Sequence, residues 1–193
     1  VRVTRPILVW SLLAAALGIP LVVAAFSPLL AWRGPVYIIA GFAGINALGL
    51  LLVQPLLIAG VLPGLEGRPG RRVHLWTGAA LIALVVIHVG GLWIVSPPDM
   101  LDALTFTSPT PFSPFGVVAM WALFAVGVLV ALRRRLSPRV WRRIHMALAA
   151  VIVIGVVVHA WLIEGAMETV TKGVLCAVVV AAAIRVMAVR LFR

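Results

Sequence analysis

Apolar runs long enough to cross a bilayer recur six times along this chain, and that pattern leaves few folds open to it. A hydrocarbon core about 30 Å thick needs roughly 20 helical residues to span it. The runs fall at about 6–27, 35–62, 73–95, 114–132, 141–163 and 169–191. The expected fold is an all-α integral membrane protein, a bundle of six transmembrane helices forming one domain over residues 1–193. The start, VRVTRP, has the basic character of a signal-peptide n-region. The apolar stretch behind it is too long for a typical h-region, so it is expected to stay as a span.

Composition excludes a soluble domain, since 64% of the residues are hydrophobic, 11% are charged and the mean hydropathy is +1.20. A net charge of +11 would suit nucleic acid, but the basic residues fall between apolar runs. That is the placement of positive-inside loops, so the partner expected is the lipid bilayer and not nucleic acid. The single cysteine, Cys176, rules out an internal disulfide or a cysteine metal cluster. It lies inside an apolar run and reads as a small buried hydrophobe.

The loops give an orientation. Arg2 and Arg5 precede the first span, Arg68, Arg71 and Arg72 follow the second, RRRLSPRVWRR follows the fourth, and Arg190 and Arg193 close the chain. The opposite ends hold Asp99, Asp102, Glu164 and Glu168, with only Arg33 and Lys172 as cations. The bias puts both termini in the cytoplasm, as six spans require, in a multi-pass protein of the plasma (inner) membrane.

Two of the spans share one design. RRVHLWTGAALIALVVIHVGG carries His74 and His88, and RRIHMALAAVIVIGVVVHAWL carries His145 and His159; these are the only four histidines. Fourteen helical steps make nearly four turns, so the members of each pair share a face about 21 Å apart along the axis. The third and fifth spans run parallel, so His74 is level with His145 near the inner face and His88 with His159 near the outer face. A lone histidine more often caps or hydrogen-bonds than ligates, but ionisable groups at matched depths in a membrane are costly and point to function. Zinc or copper also accepts imidazole, yet zinc usually gathers three or four ligands. Two imidazoles per level suit haem, whose porphyrin fills the other four positions, and the expected cofactors are two haems b with their iron.

Other residues support this less directly. Gly78 lies four after His74, Ala149 four after His145 and Gly155 four before His159, all on the ligand faces. They leave room for a flat ring, or serve ordinary packing between membrane helices; Leu84, four before His88, departs from the pattern. Arg71, Arg72, Arg142 and Arg143 flank the inner histidines. Guanidinium groups pair with propionates, although positive-inside topology alone would place them there. Arg72 and Arg143 are the chosen candidates, and Arg33 or Lys172 the few outside. Trp76, Trp93, Trp141 and Trp161 read as an aromatic belt, with porphyrin packing open to Trp76 and Trp161. Asn46 and Gln54 read as interhelical hydrogen-bonding residues, with a quinone site as the sharper alternative. The loop SPPDMLDALTFTSPTPFSP, 96–114, holds a short amphipathic turn, a spacer or a lid over the outer site. No nucleotide fingerprint or hydrolytic constellation is present.

These segments are recognisable. Through HLWTGAALIALVVIH, HMALAAVIVIGVVVH and RRRLSPRVWRRIH the chain resembles the ferric reductase-like transmembrane domain, shared by ferric reductases, NADPH oxidases and the haem subunit of the methionine sulfoxide reductase system. SPLLAWRGPVYIIAGFAGINALGLLL and SPTPFSPFGVVAMWALFAVGVL are similar to a bacterial subgroup and extend the likeness over nearly the whole chain. The resemblance implies a six-helix module passing electrons across the membrane through two haems b, with His74, His88, His145 and His159 as ligands. Full-length relatives carry a soluble flavin and nicotinamide domain, and this sequence stops at Arg193 without one. The expectation is an oxidoreductase component fed by a separate flavoprotein reductase or a quinol, delivering to an external acceptor such as ferric iron. A quinol-linked haem subunit of a two-component oxidoreductase, as in sulfoxide repair or cytochrome b561, is the alternative, and a non-redox membrane subunit a more distant one. A flavin or quinone would come with the partner.

Overall fold

The computed structural model describes residues 4–191, with side chains to residue 189. Arg2 and Arg193, used in the orientation argument, lie outside the described residues. Seven α-helices follow in order: α1 (Thr4–Ala25), α2 (Pro35–Ala59), α3 (Arg68–Val95), α4 (Pro97–Leu104), α5 (Ser113–Ala131), α6 (Pro138–Leu162) and α7 (Thr169–Leu191). All but α4 are long and apolar enough to cross a membrane, which gives the six expected spans.

Proline sets most of the starts. Helices α2 to α6 each carry one at the first or second helical position, where its missing N–H costs nothing and its fixed φ suits the helix. α6 adds a Ser137 cap whose Oγ accepts the Val140 N–H. α2 ends at Gly60, with a left-handed φ of 64° and its N–H on the Leu56 and Leu57 carbonyls. α3 and α6 begin five and three residues before the apolar runs at 73 and 141 suggest. Their first turns carry arginine, so the helices outrun the apolar segments that hydropathy marks. Of the readings open for the 96–114 loop, the structure shows a short helix, α4, with Ala103 buried, packed against α3 and α5.

Two antiparallel hairpins, α2–α3 and α5–α6, make the tightest pairings, and α7 packs on α2 and α6. The core lies where these meet, among Leu48, Leu52, Leu81, Leu123, Ile152 and Val179. Cys176 is buried there, as expected. By contrast, α3 and α6 barely touch along their backbones. Only 11% of the apolar stretch of each is buried inside the protein, against 44% for α2 and 33% for α5. The two histidine helices therefore keep the most apolar surface for lipid and for one another's facing side chains.

Candidate cofactor-binding site

All four histidines are half-buried. Across the gap between α3 and α6, the His74 and His145 rings stand 6.3 Å apart, centre to centre, at 68°. Two imidazoles trans across one first-row ion, each about 2 Å from it through a nitrogen about 1.1 Å from its ring centre, have centres about 6 Å apart. The observed spacing fits one iron between them. His88 and His159 lie within electrostatic range of each other at the opposite end. The histidines thus approach one another across the helices, His74 with His145 and His88 with His159. Among the described residues no group of three or more His, Cys, Asp or Glu converges, so the donor set at each level is two imidazoles, which fits haem better than a tetrahedral ion.

Backbone carbonyls fix three of the rings. His88 Nδ1 lies 2.7 Å from the Ala40 carbonyl, His159 Nδ1 3.0 Å from that of Phe112, and His74 Nδ1 3.3 Å from that of Gln54. A carbonyl only accepts, so in each ring Nδ1 carries the proton and Nε2 keeps its lone pair. That is the tautomer of a metal-ligating histidine, and the bond also makes the ring a better donor. The carbonyls come from α2 for the α3 rings and from Phe112, the residue just before α5, for His159, so each hairpin orients its own histidines. Gln54 also donates through Nε2 to Thr77 Oγ1 at 2.9 Å, and Thr77 Oγ1 donates to the Val73 carbonyl at 2.9 Å.

His145 is held differently. Its Nδ1 is buried with no protein partner. Trp141 stacks on its ring, planes 10° apart and centres 5.0 Å apart, and the Arg133 guanidinium sits 5.1 Å above Trp141. Phe112 meets the His159 ring edge-on at 5.6 Å.

Two glycines absent from the sequence reading lie against two of these histidines. A Cβ on Gly44 would stand 2.9 Å from His88 Nδ1, and one on Gly116 2.6 Å from His159 Nδ1. Nothing distinguishes them in sequence among the 17 glycines of the chain. Of the small residues that were singled out, Gly78 is half-buried, with Gln54 Nε2 nearest its Cβ position at 3.7 Å. Gly155 is buried against α5, where a Cβ would meet the Phe115 carbonyl at 2.8 Å and Ala119 Cβ at 2.9 Å. Its smallness brings α5 and α6 together.

Arg71, Arg72, Arg142 and Arg143 are exposed within the first two turns of α3 and α6, beside His74 and His145. At the other end Arg33 covers the Tyr37 ring at 4.6 Å. Lys172 is buried, only 6% exposed, with Nζ donating to the Ile163 carbonyl at 2.9 Å and that of Trp161 at 3.4 Å. It is committed to the end of α6. Trp76 and Trp161 are largely exposed, as belt residues are, and Trp161 also rests on Gly173. Gln54 bonds across helices as expected, whereas the Asn46 amide donates within its own helix, to the Phe42 carbonyl at 2.8 Å.

Comparison with curated proteins and with solved structures gives no match. A family model does match, over residues 39–156, which takes in His74, His88 and His145 and stops just short of His159. That model describes the ferric reductase like transmembrane component, and the chain, matched over well more than half of its length, belongs to this family of membrane redox components.

Proposed function

We propose that the chain is a transmembrane electron conduit holding two haems b, one between His74 and His145 and one between His88 and His159. The observation that supports this best is the fixed tautomer of three rings, Nδ1–H on a carbonyl and Nε2 free, combined with the 6.3 Å spacing of His74 and His145. When bound, each haem supplies an iron centre that takes up and releases one electron. With two imidazoles at each level, His74 and His145 or His88 and His159 would hold the group, and it would supply electron transfer more than binding of a substrate at the metal.

The chain's own residues orient and shield. Carbonyls of Ala40, Gln54 and Phe112 hold the rings, and the apolar faces of α3 and α6 keep water away. Arg72 and Arg143, exposed beside His74 and His145, are placed to pair with haem carboxylates by charge-assisted hydrogen bonds. The arginine-rich end and both termini face the cytoplasm by the positive-inside rule. The donor, a flavoprotein reductase or a quinol, acts at that end, and the acceptor, such as ferric iron, at the acidic end outside the plasma membrane. With the cell interior negative, outward movement of one electron is favoured by about 2.3 kcal/mol per 100 mV for a full crossing.

A reduced-minus-oxidised spectrum of the purified protein, with haem-to-protein stoichiometry, tests this. Close to two b-type haems per chain is expected. Protein from haem-replete membranes that shows no Soret band overturns the assignment.

A further inference from the structure

The two histidines at the acidic end are held by the same device, built once in each hairpin. His88 bonds to the Ala40 carbonyl and lies against Gly44; His159 bonds to the Phe112 carbonyl and lies against Gly116. In both, the glycine stands four residues after the carbonyl. Within a helix, the side chain at i+4 rises beside the carbonyl of residue i, so a ring that reaches this carbonyl from a neighbouring helix passes over position i+4. The Phe112 carbonyl shows the sharing directly, accepting the Gly116 N–H at 3.3 Å as well as the His159 ring.

The other two histidines show what happens without the glycine. Fourteen residues along α2 from Ala40, and fourteen back along α3 from His88, Gln54 faces His74. There position i+4 is Ile58, and the bond lengthens to 3.3 Å. The same step in the second hairpin leads to Val126, with Val130 at i+4, and His145 Nδ1 has no protein partner. Both short bonds, 2.7 and 3.0 Å, have glycine at i+4, whereas with isoleucine there the bond is 3.3 Å and with valine there none forms.

We infer that Gly44 and Gly116 are positioning residues that hold the His88 and His159 imidazoles on the carbonyls of Ala40 and Phe112, and so set the occupancy and potential of one haem, not of both. This rests on the proposed haem ligation. A Cβ at either glycine stands closer to the ring than a van der Waals contact allows, so the ring must leave its carbonyl. An imidazole without that bond is a weaker donor, and the ferric state it supports is less favoured.

The test uses the whole protein with Gly44→Ala, Gly116→Ala and, as control, Gly49→Ala, whose Cβ meets only a Leu17 methyl at 3.0 Å. The readouts are haem stoichiometry, low-spin ferric EPR signals and midpoint potentials, assigned against His88→Ala, which keeps only the other haem. Each clamp variant is expected either to fall from two haems toward one, or to keep both with one EPR signal shifted and that potential raised. Gly49→Ala matches the parent. Clamp variants with parental stoichiometry, EPR and potentials overturn the inference while leaving the haem assignment standing. Equal loss of both haems marks a folding failure, and Ile58→Gly then decides. Opening the Gln54 carbonyl to His74 is expected to lower the potential of the His74–His145 haem alone, and an unmoved potential there overturns the inference. Parent protein that binds no haem overturns the proposed function and this inference together.

Discussion

Trp141 lies flat on His145, ring planes 10° apart, at the one histidine whose Nδ1 lacks a carbonyl. Stacking takes over the orienting role that a hydrogen bond plays for the other three. Arg133, over the indole at 5.1 Å, holds Trp141 in turn by a cation–π contact. Removing the aromatic face frees the imidazole to rotate. Loss of a partner that orients a metal-bound histidine costs about tenfold or more in affinity. Trp141→Leu is therefore expected to lose haem from the His74–His145 site about ten times faster than the parent in a haem-transfer assay. Trp141→Phe, which keeps a stacking face, stays near the parent. Equal retention by Leu and Phe variants would show that the indole contributes only bulk.

The pairing across α3 and α6 makes a second prediction. On the proposed ligation, with one ligand from each helix per iron, His74→Ala or His145→Ala is expected to remove one haem, and His88→Ala or His159→Ala the other. Every single variant is expected to fall from about two haems to about one. The double variants His74→Ala/His145→Ala and His88→Ala/His159→Ala remain at about one, while His74→Ala/His159→Ala falls to none. Pigment analysis of the purified proteins distinguishes these patterns, and haem retained by the last variant contradicts cross-helix pairing.

Much of this was legible in the sequence, for identifiable reasons. The spans are visible because lipid tolerates so few charges that each apolar run ends at a polar residue, and proline marks the first turn of α2 to α6. The four histidines are visible because the chain has no others and they recur at one fourteen-residue step in two apolar runs. The features that hold the rings are not. A backbone carbonyl such as that of Ala40 has no sequence signature, and its availability depends on Gly44 and on the register between α2 and α3. Trp141 reads as a belt residue because sequence gives its depth and not its direction. Lys172 reads as a free external cation because nothing local shows that α7 tucks it under the end of α6.

That last contact carries a stability prediction. Lys172 Nζ supplies hydrogen bonds to the Ile163 and Trp161 carbonyls, at a helix end whose dipole also favours a cation. Lys172→Met keeps the apolar stem and deletes the donor, leaving the carbonyls short of a partner at a cost of roughly 1–3 kcal/mol. A fall in thermal unfolding midpoint in detergent is expected, with partial recovery in Lys172→Arg. Because α6 ends just beyond His159, the same variant should release the haem of the His88–His159 level before the other on heating.

Glu168 gives the pH dependence. Its carboxylate stands just before α7 and accepts the Val170 N–H at 2.7 Å and the Thr171 N–H at 2.8 Å, capping donors that the helix leaves unpaired. The Thr171 and Val170 N–H groups, in that order, hold its carboxyl below the ordinary value of 4.5. The folded state therefore favours the deprotonated form. The contribution of this cap is fully present above pH 4.5 and is lost as pH falls through the lowered folded value. Amide exchange at Val170 and Thr171 reads the cap directly. In the parent, their protection, corrected for the intrinsic pH effect, is expected to hold at neutral pH and decline below that window. Glu168→Gln, which cannot ionise, is expected to show weaker protection at neutral pH and no further loss on acidification. A parent profile as flat as that of the variant would mean that the carboxylate charge does not secure the start of α7.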